Sequence, residues 1–261
     1  MSKELTGQMG IVLTWEAADS AEFWHAYQKH VSPVMSTAHA EGAISLVLPF
    51  EHKPLRHPNV TTHAWTNCVI ALVEKGQDVE KLGAMLIAAA KRGPLAQQFR
   101  AADLMCVQQE VNMVYAANNG LEREHNFVQM IEFVFSDPEA RQQYYEDQYA
   151  WSGPVMRKLH EKDRVGRFLG FEMERRLASS DAMTEWDVMH VVSATRWQII
   201  KAVPTFHATW TRHAKKIWGP EMTFRKKVAE WEKIRLNIKS GAKQKSEFTL
   251  QAPADRLVEF I

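Results

Sequence analysis

The chain of 261 residues is 46% hydrophobic and 24% charged and carries a formal net charge of +1, a composition typical of a globular protein. A charge this close to neutral gives no reason to expect nucleic acid or an anionic membrane as a partner, and residues 1–8 contain no apolar signal sequence. We therefore expect no nucleic-acid or membrane partner. We also expect a cytoplasmic protein with a small-molecule substrate, and the sequence leaves open whether it forms a homo-oligomer.

The first half of the chain predicts a strand, a helix, two strands, a helix and a strand, in that order. Asp19 or Ser20 can cap the first helix. Pro33 does not fit the middle of a helix, so the first helix must end, kink or restart there. The predicted strands cover residues 9–15, 43–50, 67–74 and 104–115, and the predicted helices cover residues 20–31 and 78–90.

The second half predicts the same order, with longer helices near its end. It follows a predicted linker at residues 116–124, where an Asn-Asn-Gly sequence favours a turn. The predicted strands cover residues 127–135, 165–174, 188–195 and 246–251, and the predicted helices cover residues 138–151, 199–218 and 224–238.

The two halves also resemble each other in sequence at a constant offset. The matches are Pro33-Val34-Met35 with Pro154-Val155-Met156, His39 with His160, and Trp65 with Trp186. A duplicated unit predicts a pseudo-twofold protein, in which one copy keeps a working site while the other diverges. Because His39 and His160 occur in both copies, we expect them to fix the turn into the second strand of each repeat.

This element order identifies each half as a ferredoxin-like βαββαβ unit. Two such units in one chain resemble the fused form of the dimeric α/β-barrel superfamily. The resemblance implies an α+β fold of two tandem ferredoxin-like repeats packed as a pseudo-twofold dimeric α/β barrel. We expect the first repeat to cover residues 1–119 and the second, with extended C-terminal helices, to cover residues 120–261.

The first helix carries a motif that resembles the EthD-type members of that superfamily. It combines Phe23, Tyr27, His30 and Pro33 in a fixed spacing. The resemblance implies that His30 is a catalytic acid or base, with Tyr27 also catalytic and Trp24 and Phe23 in contact with the substrate. The alternative is that His30 only completes the hydrogen bonding of the helix end.

The second copy departs from this motif, since Trp151 replaces the histidine of the first copy and Gln148 replaces the tyrosine. The two pockets therefore cannot perform the same chemistry, and we favour the first copy as the active one. In the second copy, Tyr145, Tyr149 and Trp151 would suit a phenolic ligand. Glu132 and His190 are polar residues in apolar strands and are further catalytic candidates, as an acid–base pair if their strands are neighbours.

These observations lead to three hypotheses for the function. The first is a cofactor-independent acid–base enzyme, of the lyase, dehydratase, cyclase or isomerase type, acting on a small hydrophobic and aromatic molecule without a metal. The second is a haem enzyme. Chlorite-dismutase-like and aldoxime-dehydratase-like members of the superfamily bind haem iron through a histidine of one copy only, and the resemblance would assign that role here to His190 or His207. The third is a non-catalytic protein that binds a small molecule.

Overall fold

Two βαββαβ repeats follow each other along the chain in the computed structural model, which describes residues 7–53, 65–108, 127–180, 185–202 and 204–251. The elements of the first repeat are β1 (Met9–Trp15), α1 (Ser20–His30), α2 (Ser32–Ala40), β2 (Ile44–Lys53), β3 (Asn67–Val73), α3 (Val79–Ala90), α4 (Leu95–Gln98) and β4 (Phe99–Val107).

The second repeat has the same order and adds helices before its last strand. Its elements are β5 (Phe127–Phe135), α5 (Pro138–Asp147), a π-helical turn (Gln148–Ser152), α6 (Gly153–Glu161), β6 (Arg167–Ser179), β7 (Val188–Ala194), α7 (Arg196–Ala202), α8 (Phe206–Trp218), α9 (Phe224–Ile234) and β8 (Arg235–Gln244). A 3₁₀ turn (Ser246–Phe248) and a short strand β9 (Leu250–Gln251) follow.

Eight strands close into one antiparallel barrel, in the order β1, β4, β6, β7, β5, β8, β2, β3 and back to β1. The two repeats join where β4 pairs with β6 and where β2 pairs with β8. This arrangement confirms the predicted fold class of two tandem ferredoxin-like repeats in a pseudo-twofold barrel. One apolar cluster fills the barrel, and two others lie between the strands and the helices of each repeat.

Local sequence explains several element boundaries. Asp19 caps α1 by accepting a hydrogen bond from the backbone N–H of Glu22, and Asp78 caps α3 in the same way. His39 and His160 have the equivalent positions that the duplication predicted. Their Nδ1 atoms lie 2.8 and 3.0 Å from the carbonyl oxygens of Ile44 and Val165, at the entry to the second strand of each repeat.

The prediction that one constant offset relates the two copies is wrong at the first helix of each repeat. Asp19 and Asp137 are the equivalent N-caps. Pro33 lies 14 positions after Asp19, whereas Pro154 lies 17 positions after Asp137. The extra residues of the second copy lie in the segment that contains the π-helical turn, a local widening often found at functional sites.

The last strand of each repeat also differs from the prediction. The segment 224–238 does not form one helix, because α9 ends at Ile234 and β8 begins at Arg235. The predicted closing strand at 246–251 is reduced to β9, and β4 begins at Phe99 rather than at residue 104. Pairing with β5 overrides the weak strand propensity of β8. The predicted linker and the boundary at residue 119 fall outside the described residues, so that the domain division stays a prediction.

Within the described part of the chain, no helix is both long and apolar enough to span a bilayer.

Candidate functional site

In the first repeat, the predicted substrate-binding aromatics form a closed cluster beneath α1. Phe23, Trp24 and Tyr27 are buried there, with ring centroids 4.9 to 6.2 Å apart. Burial raises the pKa of the Tyr27 hydroxyl well above its ordinary value, so that this group stays protonated. The Trp24 indole donates a hydrogen bond of 3.0 Å to Glu51. These side chains serve as the core of the first repeat.

His30 lies at the end of α1, beside the turn that joins α3 to α4. It is half-buried, and a Cβ atom placed on Gly93 would come 3.2 Å from its Nε2 atom. Gly93 also has a φ of +54°, a conformation that favours glycine. The imidazole therefore packs against this turn, and its predicted catalytic role stays a prediction.

Glu132 and His190 do not form the acid–base pair that the sequence analysis considered. Their strands β5 and β7 are neighbours, but Ile131 is opposite His190 and Glu132 is opposite Met189. Because successive side chains of a strand point to opposite faces, Glu132 points into the barrel and His190 points toward the helices. The Glu132 carboxylate accepts a hydrogen bond of 3.3 Å from Trp65.

His190 is buried between β7 and the π-helical turn. Its Nε2 atom lies 3.1 Å from the Tyr144 hydroxyl and 3.0 Å from the amide nitrogen of Gln148. The rings of Phe133 and Phe168 contact it edge-on, each with a centroid distance of 4.9 Å. Burial, assisted by the charge of Arg235, lowers the pKa of His190 to about 3. The imidazole is therefore neutral near pH 7.

Arg235, the first residue of β8, lies beside His190 in the same aromatic enclosure. Its guanidinium carbon is 3.9 Å from the ring centroid of Phe133, 4.7 Å from that of Tyr144 and 4.4 Å from that of Trp231. These are cation–π contacts. The Nε and Nη1 atoms of Arg235 are buried without a hydrogen-bond partner among the described residues.

The helix-facing side of the last strand differs between the two repeats. In the first repeat, Ala102 and Leu104 of β4 belong to the apolar cluster beneath the helices. In the second, alternation along β8 puts Arg235, Asn237 and Lys239 on that side. Asn237 also has a buried oxygen without a described partner, and burial lowers the pKa of Lys239. The polar groups that could hold a ligand are therefore concentrated in the second repeat, in contrast to our preference for the first.

The three aromatics predicted to bind substrate in the second repeat have different environments. Trp151 is buried and donates a hydrogen bond of 3.0 Å to the carbonyl oxygen of Trp210. Tyr145 is half-buried and accepts a hydrogen bond of 2.9 Å from Arg141. Tyr149 is 58% exposed and lines a cavity of about 610 Å³ at the π-helical turn, together with Gln148. Gln148 therefore lies between this cavity and His190.

Of this group, only His190 could be identified from the sequence as a candidate site residue, and its partners Tyr144, Gln148 and Arg235 could not. In the sequence, Gln148 stands where the first copy has a tyrosine, and Arg235 falls within the helix predicted at residues 224–238. Within the described residues, no group of three or more His, Cys, Asp or Glu side chains is arranged to hold a metal ion. The other histidine of the haem hypothesis, His207, is exposed on α8 beside Phe206 and Phe224.

No family model and no curated protein matches the chain in sequence. Solved structures resemble it in fold. A protein from Lactobacillus acidophilus described as a monooxygenase has a TM-score of 0.47 at 8% identity, covering 92% of this chain and 94% of the other. A chlorite dismutase from Candidatus Nitrospira defluvii has a TM-score of 0.43 at 11% identity, with coverage of 97% and 95%. A protein from Shewanella oneidensis described as a DyP-type peroxidase has a TM-score of 0.42 at 8% identity, with coverage of 93% and 94%.

These neighbours correct the leading functional prediction. They are described as chlorite dismutases, a peroxidase and monooxygenases, and the prediction of a cofactor-independent lyase, dehydratase, cyclase or isomerase is wrong on this finding. Chlorite-dismutase-like proteins are the haem-binding class of our second hypothesis, so the expectation of no cofactor is corrected with it. The EthD-like character of the first repeat stays a prediction.

Proposed function

We propose that the second repeat binds haem through His190 and that the protein is a haem enzyme. The observation that carries the proposal is the His190 imidazole, which is buried, neutral and enclosed by aromatic rings. A neutral imidazole is a common ligand of haem iron, and aromatic walls suit a flat macrocycle.

The hydrogen bonding of His190 fits this role. The amide nitrogen of Gln148 can only donate, so that the Nε2 atom of His190, 3.0 Å away, is the acceptor and its lone pair faces the π-helical turn. His190 would hold the iron through this lone pair, and Gln148 and the Tyr144 hydroxyl would then release their contacts with the imidazole. Because Gln148 also lines the cavity of about 610 Å³, displacing its side chain would connect His190 with that cavity.

Bound haem would supply redox chemistry at its iron, and this chain's residues would hold it and control its surroundings. The edges of Phe133 and Phe168 would fix the orientation of the imidazole. The buried apolar cluster between the strands and the helices of the second repeat would exclude water from the surroundings of His190. The Tyr144 hydroxyl, whose pKa is raised mainly by burial, would remain a hydrogen-bond donor at neutral pH.

The test is a titration of the purified protein with hemin, followed by absorbance between 350 and 450 nm. We expect a saturable Soret band that is lost in His190→Gln and retained in the matched control His207→Gln. In His190→Gly, added imidazole should restore the band, since the free base can fill the vacated position. A wild-type protein that forms no saturable Soret complex, or a His190→Gln protein with an unchanged one, would refute the proposal.

A further inference from the structure

The guanidinium of Arg235 has donors that the protein does not use. Its Nε and Nη1 atoms are buried without a partner among the residues that the structure describes. Leaving a buried charged donor unpaired destabilises the folded state, so that such a group in a folded protein needs an explanation. A ligand that accepts these hydrogen bonds would provide one.

The nearby carboxylates do not fill this role. The Oδ2 atom of Asp147 is engaged at 2.6 Å by the Trp231 indole and at 2.8 Å by the Lys227 ammonium. Glu232 is exposed to solvent. Burial lowers the pKa of Arg235 more than its neighbours raise it; the Tyr144 hydroxyl, which interacts with the guanidinium, raises it most, and Glu232 and Asp147 raise it less. The guanidinium is therefore a charged donor whose hydrogen bonds are incomplete.

We propose that Arg235 binds a carboxylate of an aromatic ligand held between β8 and the helices of the second repeat. A guanidinium presents parallel N–H donors that match the two oxygens of a carboxylate. The rings of Phe133, Tyr144 and Trp231 surround it and offer apolar contact to the body of the ligand. Lys239, on the same side of β8, adds a second positive charge.

The carboxylate could belong to haem itself, as a propionate, or to an aromatic acid that enters the same space. The first source rests on the function proposed above, and the second does not. Two pairs of probes separate these sources: hemin with its dimethyl ester, and 2-naphthoate with 2-naphthamide. In each pair only the first member carries a free carboxylate.

The experiment compares the affinities of all four probes for the wild-type protein, for Arg235→Gln and for Arg212→Gln, which removes an exposed arginine of α8. If the carboxylate is a propionate of haem, Arg235→Gln should weaken the binding of hemin at least tenfold and leave the affinity for its dimethyl ester unchanged. If it belongs to an aromatic acid, Arg235→Gln should weaken the binding of 2-naphthoate at least tenfold and leave the affinity for 2-naphthamide unchanged. Arg212→Gln should resemble the wild type in both pairs.

The outcomes also separate this proposal from the proposed function. If hemin does not bind the wild type, the haem proposal is refuted. The carboxylate site is still supported if the wild type prefers 2-naphthoate over 2-naphthamide and Arg235→Gln removes this preference. Arg235→Gln could instead weaken the binding of hemin and of its dimethyl ester equally, while the wild type does not prefer 2-naphthoate over 2-naphthamide. That result refutes the carboxylate site and leaves the haem proposal standing. If neither pair distinguishes the acid from its neutral partner in the wild type, the carboxylate site is refuted.

Discussion

At the scale of single residues, His190 links the pH of the solution to the stability of the fold. Its pKa falls from 6.5 to about 3 on folding, so that below pH 6.5 the unfolded chain binds a proton that the folded chain does not. The contribution of His190 to the free energy of unfolding is therefore fully present above pH 6.5 and declines as the pH falls toward 3. A change from pH 7 to pH 4.5 should cost about 2–3 kcal/mol through His190 alone.

Urea unfolding of the wild type and of His190→Gln at pH 7 and pH 4.5 measures this effect. Other groups titrate over the same range, and the difference between the two proteins removes their common contribution. We expect the variant to lose less free energy of unfolding than the wild type on acidification. Equal losses in the two proteins would show that His190 is charged or exposed in the folded state.

At the scale of elements, a buried ion pair ties α9 to the end of α5. The Nζ atom of Lys227 lies 2.8 Å from Asp147 and 4.3 Å from the ring centroid of Trp218, and both charged residues are buried. Breaking such a pair from one side leaves an uncompensated charge and costs about 3–5 kcal/mol. Since the Trp231 indole still donates to Asp147, we expect Lys227→Met to cost about 3 kcal/mol.

Guanidinium unfolding at pH 7 tests this contribution. Adding Asp147→Asn to Lys227→Met should recover much of the loss, because the unpaired charge is then removed. Lys226→Met, at the exposed neighbouring position, should stay within about 0.5 kcal/mol of the wild type. A double variant that is no more stable than Lys227→Met would mean that the ion pair does not account for the loss.

Elements whose local sequence and packing agree could be predicted, and elements determined by long-range pairing could not. The start of α1, with a cap at Asp19 or Ser20, and strand β1 could be predicted because capping and apolar pattern indicate the same structure. β8 was missed because it begins directly after Ile234, with a charged residue and few strand-forming side chains, and forms through its ladder with β5. Since Arg235 lies at that boundary, missing the strand also concealed the polar side of the candidate site.

At the scale of the whole molecule, side-chain hydrogen bonds inside the barrel join the two repeats, and each repeat donates one of them to the other. Trp65 of the first repeat donates to Glu132 of the second at 3.3 Å, and Trp186 of the second donates to Asp103 of the first at 3.1 Å. Asp103 also accepts a hydrogen bond of 2.8 Å from Arg176. The matched tryptophans of the duplication thus each bind a buried carboxylate of the other copy.

This exchange, together with the β4–β6 and β2–β8 ladders, predicts that the repeats unfold as one unit. Trp65→Phe and Trp186→Phe each leave a buried carboxylate short of a donor, and each should cost about 1–3 kcal/mol. Trp197→Phe, at a position 71% exposed, should have little effect. Thermal unfolding monitored by circular dichroism and by tryptophan fluorescence should give coincident single transitions that shift to lower temperature in the first two variants only. Two separated transitions would mean that each repeat is stable without the other, and the exchanged hydrogen bonds would then serve only to align them.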